Sequence, residues 1–251
     1  MNVKLFTLLT LLLSTGVSAT QSLYQKQNTQ QLSIEFWGTH KALQSEHPLR
    51  LEKVLKLAEG NQVVLQYPLA ITLFDNSDKA IKEATALKNT VLNQMIQYNL
   101  VAHPFYKFIQ QSTFSPRILS NIDIDKVRLN KGQNPLLTGQ LLLSSPKRIE
   151  HILYLGNLSK IHTVTNLPGV PLHEQLNYLQ EKKIIDRTTF PFLIYPDGKV
   201  EHPHQGNWST KEYYLPPLTI VYFPFEIEGK SEMDENIIKL LLQRRPTSTK
   251  N

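Results

Sequence analysis

The sequence predicts an α+β fold built from two similar units, with a helical insertion and a terminal helix. Three observations predict it. Short apolar runs of strand character, bounded by Pro, Gly and Asn, recur along the whole chain. One amphipathic helical stretch falls in each half, at 49–59 and from Pro171, among those strands. A longer helical stretch interrupts the first half, and another closes the chain.

Residues 1–19 precede the fold. Lys4 is basic, Leu5 to Leu13 is apolar apart from Thr7 and Thr10, and Val17-Ser18-Ala19 supplies small residues before a cut after Ala19. This pattern predicts a cleaved signal peptide and a periplasmic protein. The apolar run is about half of the ~20 residues that a membrane span needs, so no transmembrane segment is expected in the mature protein.

Leu32, Ile34 and Phe36 alternate with Ser33 and Glu35, the mark of a half-buried strand. Leu51, Val54, Leu55 and Ala58 then recur at helical spacing, with Gly60 as a stop. Val63–Leu65 and Ala70–Phe74 read as strands. Ser77 is a plausible N-cap for a helix in which Ala80, Ile81, Ala84, Leu87, Val91, Leu92, Met95 and Ile96 recur at three- and four-residue steps. His103-Pro104 interrupts it, and Phe105, Phe108 and Ile109 continue, giving a helical hairpin at about 77–111. Strand signals return at Ile122, Ile124 and Val127, then at Leu141–Leu143 after the Asn134-Pro135 turn.

The second half opens with strands at Ile149–Leu155 and Lys160–Val164 around Gly156-Asn157. Pro171 starts a helix whose buried face is Leu172, Leu176 and Leu179. Phe192–Tyr195 enters a turn at Pro196-Asp197-Gly198, and Leu218–Phe225 is a strongly apolar strand. The last helix spans about Glu232 to Arg245, capped by Ser231 with Asp234 three residues on, complemented at its end by Arg244 and Arg245 against the dipole, and stopped by Pro246. Without the hairpin a weak duplication remains, and strands curled around one helix suit two β-grasp-like domains. The expected organisation is a signal peptide at 1–19, domains at 20–147 and 148–229, a C-terminal amphipathic helix at 230–246, and a tail at 247–251. A single mixed sheet also fits the pattern.

Composition narrows the function. The 251 residues contain no cysteine, which excludes disulfides, Cys-ligated metals and a cysteine nucleophile. The formal charge of +6 is spread along the chain, without a basic cluster and interleaved aromatics, so no nucleic-acid partner is expected. No Walker, G-x-S-x-G, H-E-x-x-H or G-x-G-x-x-G pattern occurs. His202 and His204 share one side of a strand but lack a nearby third ligand, so no metal and no cofactor is expected. Asn207-Trp208-Ser209 fits a glycosylation sequon, coincidental behind a bacterial export signal. Asp123 and Asp125 are paired carboxylates that either serve glycoside chemistry or face water on a strand. Arg117 and Arg128 flank them, and a packed arginine usually holds a carboxylate or carbonyl.

From Pro116 to Pro246 the chain resembles the GfcC-like family of periplasmic capsule and exopolysaccharide proteins. The resemblance rests on Arg117-Ile118-Leu119 running through Asp123, Asp125 and Arg128, then Asn134 to Gly139, Tyr154-Leu155-Gly156, Pro217 to Phe225, and Glu235 to Arg245. Ser115-Pro116-Arg117 stands where the family commonly shows Thr-Gly-Arg, and Gln140 where an acidic residue often follows the glycine. The resemblance implies two β-grasp domains akin to the soluble domains of outer-membrane polysaccharide exporters, the hairpin, and the terminal helix. It implies a ligand cleft at Arg117, which makes Arg117, Arg128, Asp123 and Asp125 candidate ligand-binding residues. The terminal helix offers Met233, Ile237, Ile238, Leu241 and Leu242 either to the second domain or to a partner. The expected partner is a polysaccharide or an outer-membrane polysaccharide exporter, and the expected role is non-enzymatic. A polymer-modifying enzyme and a pure protein adaptor are the alternatives.

Overall fold

The structure is a computed structural model that describes residues 31–185, 189–203, 211–226 and 231–246. The predicted signal peptide, His204 and the 207–209 sequon lie outside the described residues.

Two five-stranded mixed sheets organise the chain. The first contains β1 (Leu32–Phe36), β2 (Lys41–Ser45), β4 (Thr72–Asp75), β5 (Arg117–Ser120) and β7 (Gly139–Ser144), in the order β2-β1-β7-β4-β5. A separate pair, β3 (Leu49–Arg50) and β6 (Leu136–Leu137), braces one end. The second sheet contains β8 (His151–Gly156), β9 (His162–Thr165), β10 (Phe192–Ile194), β11 (Val200–Glu201) and β12 (Ile220–Phe223), ordered β11-β10-β12-β8-β9. Counted within each sheet, both orders read second, first, fifth, third, fourth. The first and last strands pair in parallel in both, β1 with β7 and β8 with β12. The weak duplication in the sequence is thus a duplication of topology.

Each sheet holds one helix after its opening hairpin. α1 (Leu51–Gly60) buries Leu51, Val54, Leu55 and Ala58 against Leu32, Ile34, Phe36, Leu141 and Leu143. Its start is fixed from afar, because Asn134 Oδ1 accepts from Glu52 N (3.0 Å) and Pro135 O from Leu51 N (3.0 Å). Past a short helix, α4 (Ile124–Leu129), comes α5 (Leu172–Glu181). It packs Leu172, Leu176 and Leu179 on Ile152, Tyr154, Val221 and Phe223.

The insertion is α2 (Asp78–Gln97) and α3 (Pro104–Gln111), between β4 and β5. Ser77 caps α2 by accepting from Ala80 N (3.3 Å). Lys88 Nζ, on α2, donates to Gln110 O (2.7 Å) and Ser112 O (2.9 Å), closing the end of α3. Although encoded within the first sheet, the hairpin covers the second. Val91, Met95, Phe105 and Ile109 share one core with Leu155, Ile194 and Tyr222, and with α6 (Glu232–Leu242). The second sheet is therefore clad by α5 on one face and by α2, α3 and α6 on the other. Among the described residues no helix is long and apolar enough to cross a membrane.

Several expectations are corrected. Residues 122–127 are not a strand: Asp123 is the N-cap of α4 and accepts from Asp125 N and Lys126 N. The Ile-Asp-Ile-Asp alternation mimics period two, and the capping aspartate overrides it. Val63–Leu65 forms no strand, and its alternation leaves Val64 48% exposed with no neighbouring strand. The last helix ends at Leu242, short of Arg245. Tyr154-Leu155-Gly156 has a steric basis at its glycine. Gly156 has φ +103, and a Cβ there would meet Phe223 O at 2.1 Å.

Candidate functional site: a cationic cleft between the sheets

Side chains alternate across each strand, so each sheet presents a second face. In the first sheet Leu73, Leu141 and Leu143 face α1, which turns Thr72, Phe74 and Ser144 the other way. In the second, His151, Leu153 and Ile220 turn opposite to Ile152 and Val221, at the margin of the face that α2, α3 and α6 clad. These residues of the two sheets line a cavity of about 680 Å³. The end of α6 and the segment after it close it with Leu241, Arg244 and Pro246, and Trp37 and Pro196 add to its wall.

The segment that follows α6 is clasped to the first sheet. Ser115 N donates to Gln243 O (2.8 Å) and Arg245 N to Thr113 O (2.9 Å) around a bridge between Phe114 and Arg244. Trp37 Nε1 donates to Pro246 O (2.9 Å), and the Arg245 guanidinium lies 5.6 Å from the Trp37 ring centroid. Arg245 Nη2 donates to Asn76 Oδ1 (2.6 Å) and Ser115 Oγ (3.1 Å).

Arg117 sits on β5 opposite Phe74, with its guanidinium 5.7 Å from the Phe74 ring centroid. Its Nε donates to Leu242 O, at the end of α6, and its Nη1 to Pro196 O (2.7 Å). Pro196 opens the turn in which Gly198 takes φ +87 and donates to Tyr195 O (2.9 Å). One side chain thus ties three segments that are far apart in sequence. Burial pulls the guanidinium below its usual pKa, and the Asp197 charge opposes that shift. An arginine starts so far above neutrality that the guanidinium remains a cation at neutral pH.

Asp123, Asp125 and Arg128 do not line the cavity. Asp123 spends its carboxylate on the α4 cap. Asp125 is 80% exposed at the side chain and pairs with Arg128 at 3.8 Å. Of the four candidate ligand-binding residues, only Arg117 reaches the cleft wall. Met233, Ile237 and Leu241 are 2% exposed or less, and Ile238 and Leu242 pack against the same core. The structure therefore covers the apolar face of α6 with the chain's own hairpin and second sheet.

The cleft's other polar residues went unnoticed in the sequence. Arg244 and Arg245 read there as complements to the helix dipole. Lys147 and His151 lie in stretches without a motif. Among the described residues four bases (Arg117, Lys147, His151 and Arg244) line the cavity, and no Asp or Glu does. Among the described residues no group of three or more His, Asp or Glu is placed to hold a metal.

Arg117→Ala is expected to lower stability by about 2 kcal/mol, since it strips a charged donor from two partly buried carbonyls. For a chain of this size that is roughly 4–8 °C of thermal midpoint. Scanning calorimetry checks it. An unchanged midpoint would show that water replaces the guanidinium at no cost.

Residues 163–246 match the family model described as Capsule biosynthesis GfcC C-terminal. The matched stretch runs from β9 through α6 and supplies Pro196, Leu218, Ile220, Leu241, Arg244 and Pro246 to the cleft. No curated protein matches the chain. The resemblance to the GfcC-like family, read from residues in the sequence, is supported over this stretch.

Proposed function

We propose that this is a periplasmic accessory protein of capsule or exopolysaccharide biosynthesis that holds a segment of the polymer in the cleft between its two sheets. On this reading the sheets are two β-grasp domains, 20–147 and 148–229, delivered to the periplasm by cleavage after Ala19. The observation that carries it is the lining of the cleft: among the described residues, four bases, Trp37 and apolar strand residues, with no carboxylate. A cavity of about 680 Å³ falls within the range of ~300–1,000 Å³ typical of small-ligand sites. Glycoside hydrolysis through paired carboxylates has no such pair at this wall, which favours binding over cleavage. An exporter would have to dock elsewhere than on the covered face of α6.

The test is affinity capture. The tagged mature protein is incubated with envelope extract, and bound sugar is measured beside bound protein. Capture of the native polymer, reduced by a bulky Ser144→Phe substitution in the cleft, is the expected result. Capture of an exporter with no glycan would replace this reading with the adaptor.

A further inference from the structure

Arg244 is the cleft cation that is partly buried with no counter-charge among the described residues. Arg244 follows the last turn of α6, where its backbone N donates to Leu241 O (3.1 Å) and its side chain lies over the Phe108 ring at 5.1 Å. Its Nε is buried without a hydrogen-bond partner. Among the described residues no carboxylate or carbonyl accepts from this guanidinium. The two neighbouring arginines differ: Arg117 holds two carbonyls, and Arg245 holds Asn76 and Ser115 and feels the Glu35 charge. Burial alone lowers the pKa of Arg244, with no acid opposing it.

A second unpartnered group lines the same cavity. Ser144, 1% exposed, has an Oγ with no hydrogen-bond partner. It lines the same cavity as Arg244, as do Lys147 and His151. Buried polar groups are normally paired, and a buried charge without a partner is costly. Such groups around a cavity mark where a ligand supplies the missing acceptors. A planar guanidinium fits a carboxylate with two parallel hydrogen bonds, and a hydroxyl and an ammonium add donors. Trp37, Leu153, Leu218 and Ile220 give the rest of the cavity an apolar wall.

We propose that Arg244, with Ser144 and Lys147, forms a receptor for the carboxylate of an acidic saccharide, so that the cleft takes a uronate-bearing glycan. This rests on reading the cleft as the saccharide site, and it names the class of sugar.

The test is calorimetric titration of the mature protein with hexuronate oligomers (galacturonate, glucuronate and mannuronate) and with their carboxyl-reduced neutral counterparts. Inorganic phosphate is titrated separately. At least one uronate oligomer is expected to bind ten-fold or more tightly than its neutral counterpart, with affinity falling as salt rises. Arg244→Gln should weaken that binding at least ten-fold. Because Arg244 also contacts Phe108, the exposed Lys147→Gln is the second variant, with several-fold loss and a shallower salt dependence expected. Equal binding of acidic and neutral oligomers would overturn this inference and leave the saccharide reading standing. Binding of phosphate as tight as that of any uronate would reassign the receptor to phosphate. Failure of every oligomer to bind would overturn both.

Discussion

Deleting residues 231–246 is expected to leave no folded protein. The helix α6 contributes Met233, Ile237, Leu240 and Leu241 to the core, each 2% exposed or less. Full burial of such side chains is worth about 1.5–3 kcal/mol apiece, or roughly 6–12 kcal/mol for the four. A domain of ordinary stability has only about 5–15 kcal/mol in total. The deletion also uncovers Leu155, Ile220 and Tyr222 on the second sheet and Val91 and Met95 on α2. It removes the bridge at Phe114 and the acceptor of the Arg117 Nε as well. Soluble yield, circular dichroism and limited proteolysis read the outcome. Leu241→Ala is the graded version, with a loss of about 2–5 kcal/mol expected. A truncated protein that stays folded at an unchanged midpoint would mean that α6 is an accessory, free to dock on another molecule.

Periodicity carried much of the fold into the sequence. The stripes of α1 and α6 name their buried residues, because a helix must bury one face wherever it lands; the stripe of α2 is drawn too wide, and its Ile81 and Ile96 are 36% and 47% exposed. Period alone does not say which partner receives that face. Met95 and Phe105 mark a hairpin, but nothing in their spacing places it on the second sheet instead of the sheet that encodes it. Short elements were harder to read. Lys41–Ser45 is a strand whose residues are half-buried or exposed throughout, so it carries no apolar alternation. Arg117–Ser120 pairs with β4 at the sheet edge and presents an exposed Ile118.

The cleft was legible only in part, for a related reason. Arg117 stood out through resemblance, but its two carbonyl partners, on Leu242 and Pro196, lie 125 and 79 residues away. Asp123 and Asp125 stood out as a chemical pair, yet the backbone of α4 claims one of them. Arg244 shows the opposite error. In sequence a basic residue after an apolar helix is explained by the dipole, and only the packing reveals that no acid meets it.

Asp234→Ala is expected to be the most damaging single polar substitution on α6. Asp234 is 0% exposed. The sequence pairs it with Ser231 across the first turn, and Ser231 Oγ does accept from Asp234 N (3.0 Å). The carboxylate does more than complete that cap. It accepts from Ser231 Oγ (2.7 Å), Phe225 N (2.9 Å), Glu226 N (3.2 Å) and the Tyr222 hydroxyl. One side chain thus joins the start of α6 to the end of β12 and to the ring in the middle of the second core. Burial, with the Asp234 charge and hydrogen bond behind it, pushes the Tyr222 phenol well above its ordinary pKa, so it stays a donor at neutral pH. Alanine leaves those four donors facing a void. At ~1–3 kcal/mol for each unsatisfied buried group, and allowing for partial relaxation, the loss should be about 3–5 kcal/mol. Asp234→Asn keeps one acceptor oxygen and turns an amide toward donors, so about 2 kcal/mol is expected. Tyr222→Phe removes one donor together with its need for a partner, and should cost only about 1 kcal/mol. Urea unfolding of the three variants checks the order, Ala above Asn above Phe. Near-neutrality of Asp234→Ala would show that water fills the site and that α6 is held by its apolar face alone.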